Sequence, residues 1–314
     1  MTPSKPGRVS IVVPFYNEQE VLPAMHQRLV EALKDFPGET EFIFVDDGSA
    51  DNSAGIVMEK AREDNRVKLI RLSRNFGHQI AITAGMDHAG GDAVVIIDAD
   101  LQDPPEVIPL LINKWMEGFE VVYAVREQRA GETWLKKGMA ALFYKIFRRM
   151  VDFDVPANTG DFRLVDRKVL EALKGIRERH RFMRGLTSWV GFKQCAVTYK
   201  REARKAGTTK YPVWKSLILA WDAITSFSSS PLMWVTGSGI VIALLGVLEA
   251  LSIIINKLRD PSGPVPGWAT IMVAVLLLGG IQLISLGIIG QYIGRIFDEA
   301  KKRPLYFISD KTGF

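Results

Sequence analysis

Apolar residues along this chain fall into two regimes. Up to residue 125, short apolar runs alternate with longer amphipathic stretches. Val9–Val13, Glu41–Val45, Val67–Leu72, Val94–Ile97 and Glu120–Val125 read as strands. Glu20–Asp35, Ser53–Asp64, Gln79–His88 and Pro105–Glu117 read as helices, the first with Val21, Leu22, Met25, Leu29, Val30 and Leu33 on one face. Strands alternating with helices in this way predict an α/β unit whose mostly parallel sheet is covered by helices on both faces. Val94–Ile97, four consecutive apolar β-formers after Gly90-Gly91, has the composition of a strand buried on both sides. Ligands of such sheets bind at the carboxyl ends of the strands. Here those ends read Pro14–Glu18, Asp46–Ser49, Ser73–His78, Asp98–Gln102 and Arg126.

Beyond residue 126 the period changes. Leu135, Met139, Leu142, Phe143, Ile146, Phe147 and Met150 recur at helical spacing, and Lys136, Lys137, Lys145, Arg148 and Arg149 take the other face. A helix of this kind near 135–151 lies in a bilayer interface or packs on a core. The stretch 212–228, with Trp214, Leu217, Ile218, Trp221 and Ile224, reads similarly. Pro231–Ile255 and Trp268–Ile293 are each about 25 residues long with Glu249 their single acidic residue, long enough to cross a hydrocarbon core of ~30 Å. The connection Asn256–Gly267 is too short to be a domain, so the second helix returns to the side the first one left. Lysines and arginines cluster before the first span and after the second, which predicts that the large N-terminal part and the tail both face the cytoplasm. The expected division is an α/β part with the interfacial helices at 1–229, a membrane part at 230–296 and a tail at 297–314.

Composition sharpens this picture in two places. The 314 residues carry a net charge of +5, but residues 1–125 hold 11 Lys+Arg against 20 Asp+Glu, and residues 126–215 hold 22 against 9. An acidic half suits a metal-bound nucleotide. A basic half beside membrane spans suits anionic lipid, and nucleic acid is not expected as a partner. The single Cys195 excludes an internal disulfide and a cysteine-rich metal site. Met1–Arg8 runs into a strand pattern rather than an apolar h-region, so no signal peptide is expected.

The candidate chemistry centres on D-A-D-L-Q-D-P-P-E at 98–106. Asp98 and Asp100 can converge on one hard divalent cation only if the chain kinks there, leaving open positions for diphosphate oxygens. The bland alternative is an acidic solvated turn. Asp47, Ser49 and Asp51 read as an ordinary turn and helix cap, and His78 stays open between a structural and a functional role. Asn158, Gly160 and Asp161 in N-T-G-D-F-R-L mark a turn, structural or catalytic.

Taken together, P-F-Y-N-E at 14–18, V-D-D-G-S at 45–49, R-N-F-G-H at 74–78 and D-A-D-L-Q-D-P-P-E resemble glycosyltransferase family 2, in its polyprenyl-phosphate branch. The terminal apolar segments and G-Q-Y-I-G-R-I at 290–296 resemble the GtrB-type bactoprenol glucosyltransferases more than dolichol-phosphate mannose synthases without membrane spans. The resemblance implies a GT-A fold and an integral membrane enzyme, in the bacterial inner membrane, that transfers a hexose with inversion from a nucleotide diphosphate sugar to polyprenyl phosphate. The donor it implies is UDP-glucose. Pro14, Tyr16, Asn17, Glu18, Asp46 and Asp98 would bind the nucleotide sugar. Mg²⁺ or Mn²⁺ would sit on Asp98, Asp100 and Gln102, with Asp100 and Asp161 the catalytic pair. Arg126, Lys136, Lys137, Arg201, Arg204 and Lys210 would hold the acceptor phosphate, and relatives of this type form tetramers. Competing readings are a mannose synthase using GDP-mannose, a processive polysaccharide synthase, which normally carries a Q-x-x-R-W element absent here, and a membrane-anchored nucleotide sensor without catalysis.

Overall fold

The computed structural model describes residues 7–127, 159–200, 224–225, 228–259 and 267–314. Eight strands form one mixed sheet in the order β7-β5-β6-β4-β1-β2-β3-β8. Its parallel half is β1 (Arg8–Phe15), β2 (Glu39–Asp46), β3 (Val67–Leu72) and β4 (Ala93–Ile96), joined through α1 (Leu22–Ala32), α2 (Ser53–Glu63) and α3 (His78–His88). These are the elements expected from the apolar period, with α1 shortened at both ends, α2 by one residue, and α3 begun one residue earlier, at His78. The segment after Pro104 opens as a 3₁₀ turn at Pro105–Val107 before α4 (Ile108–Met116). Proline at a first helical position leaves no N–H unpaired, which explains the start there.

The core on one face joins Leu22, Met25 and Leu29 of α1, Ala54 and Val57 of α2 and Leu111 and Ile112 of α4 to Ile11, Val13, Phe42, Phe44 and Val95. On the other face α3 lies close against β1 and β2. A Cβ at Gly85 would meet Val12 Cγ1 at 2.3 Å, so only glycine allows this approach.

β5 (Val121–Arg126) does not join β4. β6 (Thr159–Asp166) inserts antiparallel between them, and β7 (Gln194–Tyr199) follows β5 as a parallel neighbour. Gly160 and Asp161, expected in a turn, are therefore buried in a central strand. The alternation Thr159, Asp161, Arg163 against Gly160, Phe162, Leu164 fits a strand better than a turn. α5 (Arg167–Gly175) and α6 (Met183–Trp189) connect β6 to β7.

The tail also differs from expectation. Its Ile308–Thr312 forms β8, antiparallel to β3, so residues 303–314 belong to the same compact unit as the sheet.

A second unit holds α7 (Ser230–Arg259) and α8 (Trp268–Ala300), of 30 and 33 residues, and both are long and apolar enough to cross a bilayer. α8 runs seven residues past the predicted end at Ile293. Leu244 is 60% and Leu276 68% exposed, as side chains facing lipid would be. Apolar surface of this extent is not stable against water, and the protein is membrane-associated. The predicted interfacial helices at 135–151 and 212–228 lie, but for residues 224, 225 and 228, outside the described residues.

Candidate active site

Register brings the site together. Phe15 pairs with Asp46 and Asp46 with Arg71, which sets three strand ends side by side. Ile96 pairs with Val12 on one side and with Arg163 on the other. Two residues further on, the antiparallel register brings Asp161 level with Asp98.

The first corner is the β1–β2 end. Asn17 adopts a left-handed backbone, φ 55°, and its side-chain oxygen accepts from Ala50 N at 2.8 Å. Its own N–H donates to Ser49 Oγ at 2.9 Å, while Ser49 N donates to Asp46 Oδ1 at 2.7 Å. Glu18 N donates to Ser53 Oγ at 2.9 Å. These bonds stitch P-F-Y-N-E to D-D-G-S and leave the Tyr16 ring 43% exposed, free to stack on a planar ligand. Pro14 is buried within β1, opposite Val45. Asp46 is fully buried, and its Oδ2 lies 3.2 Å from Arg71 Nε without an aligned hydrogen bond.

Asp47 is more than a turn residue. Its carboxylate is buried and accepts from Phe76 N at 2.7 Å and Gly77 N at 3.0 Å, gripping the loop that delivers His78. Burial outweighs these hydrogen bonds and pushes the Asp47 carboxyl up. His78 then stands between two acids, its Nε2 3.3 Å from Asp98 Oδ1 and 3.3 Å from Asp161 Oδ2. Burial acts to lower the imidazole, but Asp98 and Asp161 overrule it and hold it well above its ordinary value. His78, its side chain 44% exposed, thus joins β4 to β6 through one ring nitrogen.

Asp161 is 4% exposed. Its Oδ1 accepts from Arg184 Nε at 3.0 Å and its Oδ2 from Gln79 Nε2 at 3.0 Å. Gln79 in turn accepts from Met183 N at 2.9 Å, which ties α3 to α6. Burial would raise the Asp161 carboxyl, yet Arg184, His78 and Arg163 together hold it far below the carboxylate range. A carboxylate held in this way is a fixed anion and a poor proton acceptor. Gly160 makes room for the neighbouring cation, since a Cβ there would meet Arg126 Nη2 at 2.6 Å.

The kink that D-A-D requires is present. Leu101 is left-handed at φ 57° with its side chain buried, and Asp100 Oδ1 accepts from Gln102 N at 3.1 Å. Asp98 keeps 26% side-chain exposure, and its buried Oδ1 has no aligned hydrogen bond, only the His78 Nε2 at 3.3 Å. Burial raises the Asp98 carboxyl, and His78 more than offsets it, so the group stays ionised. Among the described residues no three His, Cys, Asp or Glu side chains form a closed metal cage. Two carboxylates and an amide on a kinked loop fit instead an open site for a hard divalent cation that takes its remaining ligands from substrate phosphates.

Next along the loop, Asp103 is fully buried and accepts a hydrogen bond from the Tyr199 hydroxyl. Arg126 Nη2 lies 3.4 Å from Asp103 Oδ2, and Arg126 Nε donates to Tyr199 Oη at 3.2 Å. Arg126 thus sits at the site partly neutralised and partly exposed.

Of the residues read from sequence, Asp46, Asp98, Asp100, Gln102, Asp161 and Arg126 converge on the strand ends, with Tyr16, Asn17 and Glu18 at the corner. Lys136, Lys137, Arg201, Arg204 and Lys210 lie outside the described residues. Sequence reasoning passed over Gln79, Asp103, Arg184 and Tyr199. No motif marks Arg184 or Tyr199, whereas Gln79 directly follows R-N-F-G-H and Asp103 lies within D-A-D-L-Q-D-P-P-E.

The sequence matches the family Glycosyl transferase family 2 over residues 10–174. It is 53% identical over 304 residues to the uncharacterized glycosyltransferase YkcC of Bacillus subtilis, covering 97% of this chain and 94% of that protein. It is 42% identical over 304 residues to the bactoprenol glucosyl transferase of Shigella phage SfV, covering 97% and 99%. The prophage bactoprenol glucosyl transferase homolog of Escherichia coli K12 is 43% identical over 303 residues, covering 96% and 98%. Likeness to solved structures is distant: mannosyltransferase PcManGT of Pyrobaculum calidifontis aligns with a TM-score of 0.47 at 20% identity, over 95% of this chain and 87% of that one. Identity of this order, sustained from the first strand through both apolar helices, places the chain in glycosyltransferase family 2, as a glycosyltransferase of the GtrB type.

Proposed function

We propose that the protein transfers one glucosyl residue from UDP-glucose to a polyprenyl phosphate, undecaprenyl phosphate in a bacterial inner membrane, with inversion at the sugar C1. The observation that carries this reading is the whole-length likeness to proteins named bactoprenol glucosyl transferase, which takes in the strand-end site and both apolar helices at once. Asp46 and Tyr16 would receive the nucleoside, and Asp98 and Asp100, with Gln102, would hold Mg²⁺ or Mn²⁺. Such a cation, when bound, neutralises charge on the departing diphosphate.

The residues of the chain account for the rest. A phosphate monoester loses its second proton near pH 6, at about the value for phosphoserine. One oxygen of the acceptor phosphate forms the new bond to C1 as the bond from C1 to the UDP β-phosphate oxygen breaks, and UDP departs with the electron pair. The acceptor needs no base, which agrees with Asp161 being a fixed anion. Its role is to hold His78, Gln79 and Arg184 in one array beside Asp98. Arg126, and the basic residues at 136, 137, 201, 204 and 210, would receive the lipid phosphate. Orientation and fixed charge then supply the rate.

A cytoplasmic site follows from the charge clusters flanking the apolar helices. β8 adds that the sheet and residues 308–312 lie together, which an even number of crossings allows. The test is incubation of the full chain with radiolabelled UDP-glucose, undecaprenyl phosphate and Mg²⁺. The expected product is a singly glucosylated lipid in the β configuration. Polymer would indicate a processive synthase, preference for GDP-mannose a mannose synthase, and retained α configuration would overturn the single-displacement step.

A further inference from the structure

The C-terminal segment grips both ends of the stretch that delivers His78 and Gln79. Phe307 O accepts from Ser73 N at 2.9 Å, at the start of the loop leading to His78. The Phe307 ring meets that of Phe76 with centroids 6.4 Å apart and planes at 49°, and Arg74 covers Phe76 at 4.1 Å. Ser309 Oγ donates to Arg71 O at 3.1 Å, on the strand that enters the loop. At the far end of α3, the Tyr306 hydroxyl donates to Asp87 Oδ2 at 2.8 Å, where Arg177 also pairs at 2.7 Å. The loop has only one other side-chain anchor of this kind described, the Asp47 carboxylate.

We propose that residues 306–309 are positioning residues of the transfer site: the chain returns after its second apolar helix to clamp α3 and its preceding loop, and so sets His78 and Gln79 against Asp98 and Asp161. The inference rests on the reading of Asp98 and Asp161 as site residues and adds a part that neither the family motifs nor the strand ends contain. Phe314 provides an internal control. It packs at the other end of β8, with Lys68 Nζ 4.9 Å from its ring and the His88 ring 5.8 Å away, so it touches the last residue of α3 but not the loop that carries Ser73 and Phe76, and it isolates the loop contacts.

The test uses the full chain with UDP-glucose, undecaprenyl phosphate and Mg²⁺, and compares Tyr306→Phe/Phe307→Ala with Phe314→Ala and with Phe307→Leu. The double variant should lower kcat about tenfold while KM for UDP-glucose stays within about twofold, since the loss falls on placement and not on donor capture. Phe307→Leu should recover kcat to within about twofold, and Phe314→Ala should keep it there even where its melting temperature falls as far. In labelled protein the His78 ring signals should move in the double variant and stay in place in Phe314→Ala. Equal loss of kcat in the double variant and Phe314→Ala, or an unmoved His78, would overturn the clamp. An Asp98→Asn control separates the two ideas. If it remains active, the site reading fails; if it is inactive while the double variant keeps full kcat, only the clamp fails.

Discussion

Replacing Asp161 by Asn is the sharpest probe of the site, because it removes one charge and almost no volume. Both carboxylate oxygens are committed: Oδ1 to Arg184 Nε at 3.0 Å, and Oδ2 to Gln79 Nε2 at 3.0 Å with His78 Nε2 at 3.3 Å. An amide offers one acceptor and one NH₂, so whichever way it turns, a donor faces a donor. A lost hydrogen bond to a charged group costs about 1.5–3 kcal/mol. The site is 4% exposed, so water cannot replace the missing acceptor, and Arg184 and His78 lose a counter-charge they share. The sum is about 2–4 kcal/mol, below the full cost of orphaning a buried ion because Arg184 remains 33% exposed. For a unit of this size that is a fall in melting temperature of roughly 5–15 °C. Turnover, measured at a temperature where the variant stays folded, should fall by about a hundredfold, as expected when an array of fixed charges loses its centre. Asp161 itself contributes no limb to the pH profile, because it is held far below the carboxylate range, but any limb that His78 contributes should move to lower pH, since one of the two acids that raise its imidazole is gone. An Asp161→Asn protein that melts and turns over like the parent would refute the reasoning.

Three further outcomes follow from the same geometry. Asp98→Asn and Asp100→Asn should each abolish the dependence of UDP-glucose binding on Mn²⁺, read by calorimetry with and without the ion; binding that still requires the ion would remove those residues from the cation site. Asp47→Ala frees two part-buried N–H groups of the His78 loop and should lower stability by about 1–2 kcal/mol, with faster amide exchange at Phe76 and Gly77 as the direct readout. Asp64 is held down to about 2 by its Arg66 hydrogen bonds, against burial that would raise it, and its side chain is 14% exposed. A depressed carboxyl contributes stability present above its unfolded value near 3.8 and lost as pH falls through about 2, here about 2 kcal/mol at most. Arg66→Ala should therefore flatten the acid limb of unfolding, and an unchanged limb would contradict the pairing.

Much of the site was legible because its parts are local. A fully apolar strand followed at once by D-A-D puts two carboxylates at a sheet's carboxyl edge wherever that sheet sits, and alternating strands and helices imply parallel order. The requirement for a kink was also readable, and Leu101 supplies it. Asp47 was misjudged because its partners, Phe76 and Gly77, lie about thirty residues away, and a D-D-G-S string alone looks like any turn. Asp161 was placed near the site by resemblance, but as a turn residue. Its strand becomes visible only when β6 inserts between β4 and β5, a pairing no period along the chain encodes.

By itself the sequence determined the α/β alternation, the two apolar helices and the residue types at each strand end, since these depend on side-chain period and on transfer from water. The tertiary structure alone decided which distant residues meet: His78 between Asp98 and Asp161, Arg184 and Gln79 on the same carboxylate, and a C-terminal strand closing the sheet at β3. Such meetings depend on strand register and on antiparallel insertion. Both are settled by packing and hydrogen bonding across the whole sheet, a sum over long-range pairs that leaves almost no trace in any single stretch of chain.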